Sequence, residues 1–166
     1  KRSRRSAAEP SADDDAPAEG GAAAARLRAA LGGASVVGHT RGRKRVLGRD
    51  WVDERLEVAG APAPLHFRQP EGGFSQPNGA VAQHMVGWAR AVAREDSAAV
   101  GSTGPPRDDD LLELYCGNGN FAVALAPCFR RVFATELVKS AVEAAKVNAE
   151  ANGASNVCFA RIASEE

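Results

Sequence analysis

The sequence predicts an α/β fold, an open parallel sheet wound with helices. Three observations carry it. Residues 111–162 alternate short apolar runs with Ala-rich amphipathic ones, in the order strand, helix, strand, helix, strand. A Gly-rich turn, Gly117-Asn118-Gly119-Asn120, follows the first run. An acid, Glu136, closes the second run about 20 residues further on, the spacing of a dinucleotide-type site. Alternating strands and helices imply parallel pairing with right-handed crossovers.

The elements justify themselves in order. Residues 1–34 are Ala, Gly, Pro and charge, including Asp13-Asp14-Asp15 and Ala22 to Ala25. They hold too little bulky apolar surface to offset their ordering entropy, so they read as a disordered low-complexity segment, with a helical turn or two at Arg26–Leu31. Residues 35–93 read as part of an upstream α+β domain. Val36-Val37 leads into a basic run, Arg41, Arg43, Lys44, Arg45 and Arg49. Trp51–Val58 alternates as a half-buried strand, and Leu65–Arg68 is a second. Pro77 is placed to start a helix with Ser75 or Gln76 near its cap. Val81, Met85, Trp88 and Val92 then fall on one apolar helical face, expected to be core. Residues 94–110 hold Gly-Ser-Thr-Gly-Pro-Pro and the run Asp108-Asp109-Asp110 and read as a loop or insertion. From 111 the wound pattern runs: strand Leu111–Tyr115, helix Phe121–Ala126 stopped by Pro127, strand Arg131–Leu137, helix Lys139–Asn152 ended by Gly153, strand Asn156–Ile162.

Composition excludes several classes. The 166 residues balance 21 Lys+Arg against 21 Asp+Glu, so bulk charge does not hold nucleic acid. Of the apolar 44%, 34 residues are alanine, which leaves material for one modest core. No run approaches the roughly 18 apolar residues of a membrane span. Cys116, Cys128 and Cys158 are odd in number and widely spaced, against a disulfide framework or a metal site, and fit a reducing intracellular compartment. With Lys at position 1 and no terminating signal at Glu166, the sequence reads as a partial chain.

The candidate site is Glu113-Leu114-Tyr115-Cys116-Gly117-Asn118-Gly119-Asn120-Phe121 with Glu136. Gly117 and Gly119 allow a tight turn and close backbone approach, and Glu136 suits the two hydroxyls of a ribose. The alternative is a turn that only reverses the chain. Gly117, Gly119 and Ala122 also satisfy the dinucleotide pattern G-x-G-x-x-A, which keeps a nicotinamide-dependent oxidoreductase open. Glu113 discriminates, because a carboxylate beside the turn repels a pyrophosphate but attracts the sulfonium and ammonium of S-adenosylmethionine.

Phe74-Ser75-Gln76-Pro77-Asn78 together with Leu111 to Phe121 closely resembles the S-adenosylmethionine-dependent RNA 5-methyluridine methyltransferases, the tRNA (uracil-5-)-methyltransferase branch above the ribosomal-RNA branch. Trp51 to Gly60, Ala134-Thr135-Glu136 and Asn156-Val157 also fit, and the likeness covers about residues 35–166 apart from 94–110. It implies a Rossmann-like class I methyltransferase fold, here its first three strands. It implies S-adenosyl-L-methionine as cofactor, tRNA as partner and C5 of a T-loop uridine as methyl acceptor. Cofactor contacts carry over onto Gln76, Tyr115, Asn120 and Glu136, alongside Gly117, Gly119 and Glu113 from the residues themselves. Read without the resemblance, Gln76 could be a helix cap, Tyr115 core and Asn120 an N-cap. The family's reaction adds a Cys thiolate to uracil C6 and uses a carboxylate base. Those residues belong to later strands, beyond Glu166, so Cys116, Cys128 and Cys158 are expected to be packing residues. A non-catalytic cofactor- or RNA-binding protein remains a third possibility.

Overall fold

The computed structural model describes residues 18–98 and 107–163. It divides into two units, Lys1–Asp50 and Trp51–Glu166. This division falls at none of the boundaries expected from composition.

In the first unit, α1 spans Ala18–Ala30. The expected disorder of residues 1–34 therefore does not extend over 18–30, and residues 1–17 lie outside the described residues. Alanine is the strongest helix former and loses no side-chain entropy, which compensates for the missing apolar face. The basic run forms an antiparallel hairpin, β1 (Val36–Thr40) with β2 (Arg43–Leu47). Its two-residue turn puts Arg41 at φ 41° and Gly42 at φ 80°, the mirror-image turn that matches strand twist. Among the described residues of this unit, none is fully buried.

The second unit holds the core. β3 (Trp51–Leu56) and β4 (Leu65–Pro70) pair antiparallel. Helix α2 (Gly79–Ala98) follows, and then a three-stranded parallel sheet of β5 (Arg107–Glu113), β6 (Phe129–Glu136) and β7 (Val157–Arg161), in the order β5-β6-β7. The crossovers are α3 (Asn120–Leu125) and α4 (Lys139–Ala151). Burial alternates along the strands. Val132 and Ala134 are buried with Cys116, Ala122 and Ala126, while the row Leu112, Phe133 and Cys158 lies on the exposed face. A second cluster joins the hairpin to the helices: Leu56, Val58 and Phe67 with Val86, Val123, Ala124 and Ala149.

Three expectations are corrected here. Helix α2 starts at Gly79, not Pro77, because the Asn78 side chain accepts the Val81 N–H at 3.1 Å and caps it. The stripe Val81, Met85, Trp88 and Val92 is exposed, with Trp88 at 70%. The buried face is Ala82, Val86, Arg90 and Ala93, one residue further round. The physical reason is backbone proximity at one point of this face: a Cβ at Gly87 would sit 3.3 Å from that of Ala59, so the chain passes close there and the bulkier stripe is turned away. Lastly, the presumed loop 94–110 is helix up to Ala98 and strand from Arg107. Asp110 lies opposite Arg131 and makes paired bonds to both Arg130 (3.0 and 3.0 Å) and Arg131 (3.4 and 2.8 Å). Residues 99–106 lie outside the described residues.

Candidate cofactor site

The site forms where β5 ends and α3 begins. Tyr115 turns the chain with φ 57°, unusual for a residue with a side chain, and Gly117 and Gly119 follow at 56° and 83°. The turn closes through Gly119 N–H to Cys116 C=O, 2.9 Å. The two glycines differ in what they leave room for. A Cβ at Gly119 would press on Ala145 (3.2 Å) and the Phe159 ring (3.3 Å), so this glycine serves helix–strand packing. A Cβ at Gly117 would meet nothing within 4 Å, which leaves open space against the backbone where a ligand can approach.

Glu136 ends β6 beside this turn. Its carboxylate accepts the N–H groups of Gly117 (3.1 Å), Leu137 (2.7 Å) and Val138 (2.8 Å). These bonds fix its orientation, and Oε2, which accepts only the Gly117 N–H, keeps a lone pair for a hydroxyl donor. A cavity of about 200 Å³ opens here, walled by Gly117, Glu136, Val138 and Ala141 on one side and Gly73 and Phe74 on the other. That is below the roughly 300 Å³ of whole-ligand pockets and matches a part of a cofactor. A larger cavity, about 840 Å³, lies near Pro127, Phe129 and Asn156, at the other end of the strands and away from these groups.

Two buried acceptors at the turn have no hydrogen-bond partner: Glu113 Oε2 and Asn120 Oδ1. Burial pushes the Glu113 carboxyl up to about 7, against the opposing effect of a backbone hydrogen bond from Ala122. An orphaned carboxylate and an orphaned amide oxygen, side by side in sequence terms with the glycine turn, call for N–H or cationic donors.

The structure brings Glu113, Tyr115, Gly117, Gly119, Asn120 and Glu136 to one end of the sheet. Tyr115 is 60% exposed and so is not core. Asn120 does not cap α3, whose cap position is Gly119 with no side-chain bond. Gln76 is half-buried in the segment between β4 and α2; it neither caps α2, a role taken by Asn78, nor lines the 200 Å³ cavity. Burial, then Glu113 and Glu136, push the Cys116 thiol up to about 12, which keeps it protonated at neutral pH. The residue that sequence reasoning passed over is Asn118. It was read as part of the turn, yet it is buried and bonded to β4.

A family model described as tRNA (Uracil-5-)-methyltransferase matches residues 12–166. The chain belongs to the tRNA (uracil-5-)-methyltransferase family. Within that family it is 52% identical over 144 residues to a tRNA/tmRNA (uracil-C(5))-methyltransferase of Azotobacter vinelandii, covering 87% of this chain and 36% of the relative. A namesake from Azoarcus is 51% identical with the same two coverages, and one from Pseudomonas aeruginosa 50%. The chain thus spans about a third of the length of the curated relatives it matches. The fold is likewise that of the crystal structure of Pyrococcus abyssi tRNA (uracil-54, C5)-methyltransferase with S-adenosyl-L-homocysteine: TM-score 0.52 at 21% identity, over 76% of this chain and 30% of that one. The structure is therefore the α/β, Rossmann-like class I methyltransferase fold expected of the tRNA (uracil-5-)-methyltransferase family, seen in its first three sheet strands.

No helix among the described residues is long and apolar enough to cross a membrane, and no cluster of metal-binding side chains occurs among them.

Proposed function

We propose that this chain carries the S-adenosyl-L-methionine cradle of a tRNA uracil-C5 methyltransferase. The observation that carries the reading is the pair of orphaned buried acceptors, Glu113 Oε2 and Asn120 Oδ1, at a glycine turn beside an oriented Glu136. A dinucleotide leaves these acceptors facing phosphate. S-adenosylmethionine brings a cationic methionine end and no phosphate, so it fits the donor requirement.

The cofactor supplies an electrophilic methyl group on sulfur. This chain's residues hold it. Glu136 accepts from a ribose hydroxyl at Oε2 while its backbone bonds keep it in place. Gly117 lets the backbone approach, and Tyr115 offers an exposed ring at the rim. Glu113 and Asn120 take the charged end, with Gln76 assigned to the methionine end on the family resemblance alone. The exposed cations of the β1–β2 hairpin, Arg41 and Arg45 among them, offer phosphate contacts to the tRNA. A nucleophile for uracil C6 is not among Cys116, Cys128 and Cys158. Cys116 is held protonated, Cys128 is buried, and Cys158 stands on the exposed sheet face within β7.

Calorimetry of the chain with S-adenosylhomocysteine and, separately, with NAD tests the reading. Saturable binding of the former, abolished by Glu136→Ala, is expected. Preference for NAD would overturn it. Incubation with cofactor and unmodified tRNA is expected to give no methyl transfer by the chain alone; turnover would show that one of its own cysteines acts.

A further inference from the structure

Helix α4 and its C-cap place two asparagines one turn apart, Asn148 within the helix and Asn152 just after its last residue. Four residues of helix rise about 6 Å, and two residues of strand about 6.6 Å, so such a pair can meet alternate residues of a neighbouring strand. It does so on β4. Asn152 Oδ1 accepts the His66 N–H (2.9 Å) and its Nδ2 donates to the His66 C=O (2.6 Å). Asn148 Oδ1 accepts the Arg68 N–H (2.7 Å) and its Nδ2 donates to the Arg68 C=O (3.2 Å). Side-chain amides here stand in for a missing strand along β4.

The same Asn148 amide, only 1% exposed, also donates to the Asn118 C=O at 2.9 Å. Asn118 in turn reaches β4 with its own side chain. Its Nδ2 donates to Gln69 Oε1 (2.7 Å) and to the Arg68 C=O (3.3 Å). The Gln69 Nε2 donates onward to Glu54 Oε2 of β3 at 2.6 Å. The turn between Gly117 and Gly119 is thus clamped from a hairpin that belongs to neither the sheet nor its crossovers.

We propose that Asn118, Gln69 and Asn148 are positioning residues through which the β3–β4 hairpin sets the shape of the cofactor turn, a role that rests on the cofactor reading above. The turn needs an external clamp. Two glycines at positive φ give it more freedom than any other stretch of the site, and its own backbone supplies one closing bond, Gly119 to Cys116. Buried, satisfied amides remove that freedom before the ligand arrives, so ligand binding does not carry the ordering cost. The direction of the bonds matters too. Gln69 accepts from Asn118 only while its amide nitrogen is engaged by the Glu54 carboxylate, so β3 orients Gln69 and Gln69 orients the turn.

A charge-transposing swap tests this in a way that folding alone does not mimic. Gln69→Glu sets a second carboxylate against Glu54 and removes the linking donor. Glu54→Gln added to it restores an N–H donor, now running from position 54 to 69, and leaves an acceptor for Asn118. Gln69→Glu is expected to weaken S-adenosylhomocysteine affinity about ten-fold, the equivalent of one lost buried hydrogen bond. The double variant is expected to return to within about three-fold, a coupling read by the double-mutant cycle. Melting temperatures are followed in parallel. Unchanged affinity in Gln69→Glu overturns the proposal, as does a double variant that regains its melting temperature but not its affinity. If the unsubstituted chain does not bind S-adenosylhomocysteine, the cofactor reading itself falls. Amide hydrogen exchange at Gly117–Asn120 in the same variants then still decides whether Gln69 orders the turn: faster exchange in the single variant and recovery in the double support it, and identical exchange overturns it.

Discussion

Glu113 shows how one carboxyl can oppose folding while suiting the binding role proposed for it. Its native value of about 7 lies above the 4.5 of an unperturbed glutamate because burial disfavours the charge. Between those values the native state holds more protons than the unfolded state. Stability contributed by the protonated form is therefore fully present below about pH 4.5 and is lost as pH rises through about 7. Glu113→Gln removes the titration while keeping an acceptor for the Ala122 N–H. Above pH 7 the variant is expected to be more stable by on the order of 2 kcal/mol, with no gain at pH 4.5. Thermal melts at pH 4.5 and pH 8 check this, and an equal difference at both would defeat the assignment. Binding runs the other way. A cationic ligand end favours ionised Glu113, so S-adenosylhomocysteine affinity is expected to rise as pH climbs through about 7 and then level off. In Glu113→Gln the affinity is lower and this rise is absent.

Helix α2 separates what a sequence pattern can reveal from what it cannot. Its large apolar residues recur at helical spacing, and spacing alone says which residues share a face, not which face is covered. The choice is made by Gly87 against Ala59 and by Arg90, whose guanidinium donates to the C=O groups of Ala124 and Gly60, contacts far apart in sequence. Trp88→Ala is therefore expected to change stability by less than about 0.5 kcal/mol, while Val86→Ala, a smaller deletion, loses about 1–2 kcal/mol. Denaturant melts of the two decide it, and a larger loss at Trp88 would reverse the facing of the helix. The same logic explains the rest. The strands and helices from 111 onward were legible because Gly117, Pro127 and Gly153 punctuate them and their periods change cleanly. The start of β5 was not, because Asp108–Asp110 look like loop until Arg130 and Arg131 are known to lie across from Asp110. The β1–β2 hairpin was not, because a strand exposed along most of its length has no apolar alternation to read. At the candidate site, spacing singled out Gly117, Gly119 and Glu136. Asn118, Gln69 and Asn148 could not, since a buried amide network is written in partners and not in residue types.

At the scale of the whole molecule, stability and charge are carried by different units. Both buried clusters lie within Trp51–Glu166, and among the described residues of Lys1–Asp50 none is buried. Hydrophobic burial is the dominant favourable term in folding, so the second unit holds most of what keeps the chain folded. The first unit instead concentrates cations: Arg41, Arg43, Lys44 and Arg45 within the hairpin and Arg49 just after it, with the Lys44 ammonium engaged by Asp50 at 3.0 Å. In a chain of zero net charge, that segregation makes the hairpin a local concentration of positive charge, the one proposed above to meet tRNA phosphates. Residues 51–166 alone are expected to keep the melting temperature of the whole chain to within a few degrees and to retain S-adenosylhomocysteine binding, while losing tRNA affinity. In the full chain, Arg41→Ala with Arg45→Ala is expected to leave cofactor binding untouched. It should reduce the slope of log affinity against log salt by about 1–2, one unit or less for each phosphate contact removed. A salt slope equal to that of the unsubstituted chain would show that tRNA phosphates are met elsewhere, and a collapse of melting in residues 51–166 would show that the hairpin unit is structural after all.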